Sequence, residues 1–277
     1  MQTVLITGAS SGIGWATACH LAERGFRVYG TTRSVQKRAD VIEAAAKHFG
    51  ERLQFVAMDV TDDDSVNRGV ATVIRQAGGI DALVANAGFA LYGSVEEMPM
   101  DLLVKQFNVN VFGCLRTVRA VLPHMRERRA GRIILVSSVA ATLAIPFQAH
   151  YSATKYAVDA FTEGLRQELR GFGIAVTAIR PGNINTPLQD ATVRHTPPGS
   201  PYARWSDRSW KTIERDMRQA TQPERVAKAI GRILNKKKPK AYYTVADFPA
   251  SLAPMVGPLV PSRLKEKLVR LFYRIDD

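Results

Sequence analysis

Cysteine is scarce in this chain of 277 residues, with Cys19 and Cys114 the only two. They form no CxxC pair and join no Cys/His cluster, which excludes a disulfide framework and a structural zinc site and fits a reducing compartment. Both fall in helical patterns, where a free thiol behaves as a small core residue. Histidine is also sparse: His20, His48, His124, His150 and His195 make no ligand spacing with acids or cysteines, so no metal is expected. No run of about twenty apolar residues occurs. The most apolar late stretch, 248–261, is broken by Pro249, Pro254, Pro258 and Pro261 and cannot span a bilayer as a regular helix. The opening MQTVLITGAS has neither the basic region nor the long apolar core of a secretion signal. A cytoplasmic protein is the expectation.

What is present suits one α/β domain spanning 1–277. Hydrophobic residues make up 46% and charged residues 23%, enough for a real core. The net charge of +13 is spread out, with clusters at 126–132 and 236–240. Neither cluster is interleaved with aromatics as a single-strand groove would be, so a solvated basic surface is expected and no nucleic-acid partner.

Short β-branched runs alternate with helical patterns. TVLIT (3–7), RVYGTT (27–32), LQFVAM (53–58), DALVAN (81–86), RIILVS (132–137) and IAVTAIR (174–180) are apolar on both faces, as strands of a covered parallel sheet are. Helical segments are predicted near 13–24, 36–49, 63–76, 99–127 and 151–171, then a helix at 223–235 and a seventh strand at 241–245. This order gives a doubly wound parallel sheet with right-handed crossovers. The stretch 183–222 breaks the rhythm and reads as an irregular substrate loop or lid, about 188–222, near the carboxyl edge of the sheet. A helical extension is expected over about 248–277.

The first βα turn is TGASSGIG, residues 7–14. Its glycines let the chain turn tightly and start a helix whose N-terminal amides face a pyrophosphate. Gly8, Ser10, Ser11, Gly12, Ile13 and Gly14 are the candidate cofactor contacts, although the spacing is GxxxGxG rather than GxGxxG. At the end of strand two, Thr32 stands where an NAD enzyme carries an acid, and Arg33 follows. A guanidinium there can pair with a 2′-phosphate, so NADP(H) is expected over NAD(H), unless Arg33 is a plain surface arginine. Asp59 can accept from the adenine amino group with Val60 beside the ring, or it can cap the next helix, as Thr61 or Asp62 can. Asn86, Ala87 and Gly88, ending strand four, complete this edge.

Tyr151 and Lys155, in YSATK, are one helical turn apart and share a face. TGASSGIG, NAG, Asn110 in NVNVFG, Ser138 in VSS, YSATK and PGNINTP stand in the order and spacing of the short-chain dehydrogenase/reductase superfamily, which the chain resembles from residue 3 to about 187. The resemblance implies a Rossmann-type fold and nicotinamide chemistry. It makes Tyr151 the acid/base, Lys155 the cation that tunes it and holds the nicotinamide ribose, and Ser138 the donor to the substrate oxygen. Asn110 is implied to distort its helix and hold a water linking Lys155 to solvent. Pro181 and Gly182 turn the chain to the nicotinamide, with Ile184 and Thr186 at its carboxamide. A catalytically idle NADP(H) sensor on the same fold is the rival; it predicts a broken catalytic set, whereas all four residues are intact.

Val139, Ala140, Leu143, Ile145, Pro146, Phe147, Trp205 and Trp210 should give a mostly apolar pocket. Separately, VYGTTRS and the longer C-terminal half resemble the branch of 17β-hydroxysteroid, retinol and acyl-dihydroxyacetone-phosphate reductases. That resemblance implies a bulky lipophilic ketone, aldehyde or secondary alcohol. Family resemblance also implies a homodimer or homotetramer formed through 99–127 and 151–171. Apart from that, the helix at 151–171 must serve packing, with Ala153, Ala157, Val158 and Phe161 available for burial. SRLKEKLVRLFYR (262–274) sets leucines at helical spacing among basic residues, to pack on the domain or to touch an anionic membrane peripherally.

Overall fold

The computed structural model describes residues 1–186, 192–218, 220–247, 251 and 260–276. Its main sheet has seven parallel strands. In chain order they are β1 (Thr3–Ile6), β2 (Arg27–Thr32), β3 (Leu53–Ala57), β4 (Ala82–Ala85), β6 (Gly131–Val136), β7 (Ile174–Pro181) and β9 (Tyr242–Val245). Their spatial order is β3-β2-β1-β4-β6-β7-β9. The chain winds outward from β1 to β3, then restarts at β4 on the other side of β1, so the crevice between β1 and β4 is the switch point where such sheets bind ligands.

The period-2 alternation of each strand divides the core. Val4 and Ile6 of β1, with Ile134 and Val136 of β6, pack on one face against Leu21, Val226 and Ile230. Leu5, Ile133 and Leu135 turn to the other face against Val70, Val118 and Val121. The first face is covered by α1 (Gly12–Glu23), α2 (Ala39–Phe49) and α8 (Pro223–Leu234). The second is covered by α3 (Asp63–Ala77), α5 (Gly113–Glu127) and α6 (Ala149–Glu168). Each fully buried Leu, Ile or Val contributes roughly 1.5–3 kcal/mol, so covering both faces is what holds the strands.

Three features depart from the sequence reading. The segment 99–127 is not one α-helix: α4 (Met100–Phe107) passes through a π-turn at Asn108–Phe112 before α5, a distortion at the place the resemblance implied for Asn110. The stretch 183–222 is not irregular throughout. It contributes β8 (Val193–Arg194), which pairs in parallel with β5 (Leu91–Tyr92), and a 16-residue helix, α7 (Ala203–Arg218). Helix α7 reads as loop in sequence because a Pro- and Ser-rich run leads into it and its buried positions include Ser206, Ser209 and Thr212 beside Trp210. Residues 187–191 and 219 at and within the expected loop, and 248–250, 252–259 and 277 of the expected extension, lie outside the described residues; the extension's helix is α9 (Ser262–Tyr273). Finally, Val158 is buried and Ala157 half-buried as expected, but Ala153 and Phe161 face outward. The inward face of α6 is instead polar, with Ser152, Thr154, Lys155, Asp159 and Thr162.

Candidate active site

The glycine loop lies at the β1/β4 crevice. Gly8 and Gly12 have φ of 63° and 54°, a left-handed backbone that glycine adopts without a Cβ penalty. A Cβ on Gly14 would run into the Gly8 carbonyl and the Asn86 side chain. Ser11 stands at the N-cap of α1 without a side-chain capping bond, which leaves the first-turn amides to a ligand. Ser10 and Ile13 flank them, half-buried. Asn86 staples the loop to β4: its Nδ2 donates to the Thr7 and Gly8 carbonyls at 2.9 and 3.1 Å. Thr7 Oγ1 answers by accepting from the Asn86 and Ala87 amides at 2.9 and 3.0 Å. Unpaired amides at a helix start and a bare glycine surface are a donor set that fits a pyrophosphate.

Of the other residues expected to meet a cofactor, Arg33 is exposed at the end of β2 and makes no hydrogen bond or ion pair among the described residues. Asp59 Oδ1 accepts from the Thr61 amide and hydroxyl at 2.9 and 2.7 Å, while α3 is capped by Asp62. Val60 is buried next to it. Thr186 leans over the glycine loop, since a Cβ on Gly12 would stand 3.2 Å from the Thr186 Cβ. The Gly182 amide donates to the Val245 carbonyl at 2.9 Å, and Ile184 bridges Thr221. The turn after Pro181 is thereby tied down on both sides.

Ser138, Tyr151, Lys155 and Asn110 converge from β6, α6 and the π-turn. Ser138 follows β6 and caps a short 3-10 turn, its Oγ accepting from the Ala140 amide at 3.1 Å and donating to the Pro181 carbonyl at 3.4 Å. Lys155 is only 6% exposed, and its Nζ donates to the Val136 carbonyl at 2.9 Å. That ammonium lies 5.6 Å from the centre of the Tyr151 ring. Asn110 sits in the π-turn, bridging to Gly88–Phe89: its Oδ1 accepts from the Phe89 amide at 2.9 Å, and Nδ2 donates to the Phe89 carbonyl at 2.9 Å. The same Nδ2 reaches Thr154 Oγ1 at 3.2 Å, joining the π-turn to α6.

Burial sets the proton affinities. It pushes the Tyr151 phenol up to about 12, opposed by the neighbouring Ser138 hydroxyl. It lowers Lys155 to about 8, opposed by Cys114 and Asp159. The opposing pull on Tyr151 therefore comes from Ser138, a contribution the sequence spacing did not suggest.

On the substrate side, Tyr92 is fully buried and meets Phe147 and Trp210 with ring centres 5.9 and 4.7 Å apart. Phe147 holds a φ of 60°, and its carbonyl accepts from the Gly93 amide at 2.8 Å. Val139, Leu143, Ile145, Pro146 and Trp205 are half-buried and Ala140 is buried. Tyr92, Thr7, Thr154 and the ion pair of Asp159 with Arg180, 2.7 Å, were not singled out in the sequence. Their partners are distant in the chain, so no local motif marks them. No group of three or more His, Cys, Asp or Glu that could hold a metal occurs among the described residues. Nor, among them, is any helix long and apolar enough to cross a membrane.

Residues 2–197 match the family model described as short chain dehydrogenase. The chain is 34% identical over 276 residues to a 3-ketodihydrosphingosine reductase of Bacteroides thetaiotaomicron, covering 99% of this chain and 98% of that protein. Retinol dehydrogenase 8 of Bos taurus is 37% identical over 191 residues, 68% of this chain and 61% of its own length. Among solved structures, a short-chain dehydrogenase from Streptomyces avermitilis superposes with a TM-score of 0.83 at 30% identity, covering all of both chains.

Proposed function

The chain belongs to the short-chain dehydrogenase family of oxidoreductases, and on that footing we propose that it is an NADP(H)-dependent carbonyl reductase or alcohol dehydrogenase with Tyr151 as acid/base. The observation that carries this reading is the convergence of Ser138, Tyr151 and the buried Lys155 ammonium at the carboxyl edge of the sheet, beside an open glycine cradle. An intact set of this kind argues against an idle NADP(H) sensor.

Gly8, Ser10, Ser11, Gly12, Ile13 and Gly14 hold the pyrophosphate, and the unengaged Arg33 takes the 2′-phosphate. Asp59 and Val60 receive the adenine, and Asn86, Ala87 and Gly88 line the ribose side. Pro181, Gly182, Ile184 and Thr186 border the nicotinamide. NADPH, when bound, supplies the hydride. Ser138 Oγ and the Tyr151 hydroxyl hold the substrate oxygen and stabilise the negative charge it gains. Tyr151 then gives its phenolic proton to that oxygen, and the Lys155 ammonium stabilises the phenolate left behind. Burial keeps the phenol, near 12, protonated at neutral pH, but it opposes release of that proton, so the Lys155 ammonium must offset the cost of the buried phenolate. Asn110 fixes the π-turn against Phe89 and Thr154 and so fixes the floor beside Lys155.

The Tyr92–Phe147–Trp210 cluster and the half-buried Leu143 and Ile145 favour a bulky lipophilic carbonyl or secondary alcohol. A sphingosine reductase and a retinol dehydrogenase among the relatives support the same class. Val104, Phe112, Tyr156 and Phe161 remain exposed on α4, the π-turn and α6, and these faces pair copies into a homodimer or homotetramer. A panel of long-chain and aromatic carbonyls followed by NADPH absorbance tests the reading. Tyr151→Phe should lower turnover by roughly 10²–10⁴-fold while NADPH binding persists, and unchanged turnover would overturn it.

A further inference from the structure

Helix α9 is held to the domain by one side only. Lys265, Val269 and Tyr273, at i, i+4 and i+8, are half-buried, and no residue of the helix is fully buried. Burial pushes the Tyr273 phenol up, and the helix packs on α7.

The apolar stripe lies elsewhere on the helix. Leu264, Leu268, Leu271 and Phe272 recur at i, i+4, i+7 and i+8 and are 48%, 53%, 54% and 48% exposed. Alongside runs a basic stripe, Arg263, Lys267 and Arg270 at i, i+4 and i+7, continued by Arg274 at the C-cap. Segment 262–276 carries five basic residues against two acidic ones, and Asp276 of the latter is paired with Arg270 at 2.7 Å.

We propose that α9 is an in-plane anchor that docks this protein on an anionic phospholipid surface. A helix serving only the core would bury its leucines; this one buries a different face and presents the leucines with a cationic border. That pairing of an apolar stripe with flanking cations matches the acyl boundary and the headgroups of an anionic leaflet. At 12 residues the helix is about 18 Å long, too short to span a bilayer, so it lies in the interface. Pairing two copies through the same stripe would instead bring two net-positive segments together. The inference goes beyond the substrate reading and does not depend on it. Because α9 packs on α7, whose Trp210 meets Tyr92, the lipid surface would lie beside the aromatic cluster.

Sedimentation of the full chain with extruded vesicles tests it, comparing pure phosphatidylcholine with phosphatidylcholine/phosphatidylserine. About fivefold per cation near the surface predicts affinity on the order of a hundredfold higher on the anionic vesicles for three cations. Most of that gain should vanish near roughly 1 M salt. Leu268→Glu/Leu271→Glu should abolish binding without changing turnover of a water-soluble carbonyl. Should that variant misfold, Lys267→Glu/Arg270→Glu, confined to the surface, should remove the preference for phosphatidylserine. No retention on anionic vesicles, or retention that neither variant alters, overturns the proposal. So does size exclusion showing that Leu268→Glu/Leu271→Glu splits a dimer while vesicles bind neither form, because the stripe is then a contact between copies.

Discussion

Replacing Lys155 by methionine should make the cofactor-free protein more stable and nearly inactive. Burial lowers this lysine from 10.5 to about 8. At about 1.4 kcal/mol per pH unit, holding the ammonium in the fold destabilises it by about 3 kcal/mol. The unfolded chain protonates the lysine below about 10.5 and the folded chain only below about 8. Between those values the unfolded state carries the extra proton, so stability rises with pH through that window, and the penalty is complete below it. Methionine matches the stem and carries no charge, but it abandons the Val136 carbonyl that Nζ meets at 2.9 Å. An acceptor left unmet costs about 1 kcal/mol, so the net gain near neutral pH is about 2 kcal/mol. Turnover should collapse, because nothing cationic then lies behind the Tyr151 phenolate. Urea denaturation of the cofactor-free protein near pH 7 and again near pH 10 reads the difference, which should shrink at the higher pH. A variant less stable than the parent at neutral pH, or a gain that ignores pH, would refute the reasoning.

Two further substitutions test the cofactor side and the support beneath it. Arg33→Ala should weaken NADPH binding by about 10–100-fold, as loss of a charge-assisted pair does, and leave NADH nearly unaffected; titration with both nucleotides checks this, and equal losses would remove the phosphate role. Arg180→Met strands the Asp159 carboxylate, whose side chain is 8% exposed, and should cost about 3–5 kcal/mol by urea denaturation, with Asp159→Leu added to it restoring most of the loss.

The strands were legible because a parallel sheet covered on both faces needs apolar residues at every position, and short β-branched runs announce that directly. Helix boundaries on the sheet faces came within a few residues for the same reason. Helix α7 was missed although Trp210, Ile213 and Met217 stand at helical spacing: Ser206, Ser209 and Thr212 share its inward face, and the Pro- and Ser-rich run before it reads as a loop. The inward face of α6 misled in the opposite sense. Ala153 and Phe161 look like core residues in sequence, yet the positions that turn inward with Tyr151 are Lys155, Asp159 and Thr162. A helix that carries an active site buries polar groups, and the usual reading of its apolar residues inverts.

The candidate site divides along the same line. Groups that act by backbone geometry or by spacing within one turn, such as the glycines of 8–14 and the Tyr151/Lys155 pair, are written in consecutive residues and can be read there. Groups that act by support are paired between elements distant in the chain: Thr7 with Asn86, Asn110 with Thr154, Asp159 with Arg180, separated by 79, 44 and 21 positions. Only the strand order brings these together, so the chain must be folded before they appear. Proton affinity belongs to this second kind. The spacing of Tyr151 and Lys155 suggests a cation lowering a phenol, but both groups are dehydrated, and dehydration opposes the charged form of each. Each group is thus shifted toward its neutral form, although Lys155, near 8, remains an ammonium at neutral pH. Lys155 can earn its catalytic role only when negative charge develops on Tyr151, where an ammonium already stripped of water acts through a low dielectric.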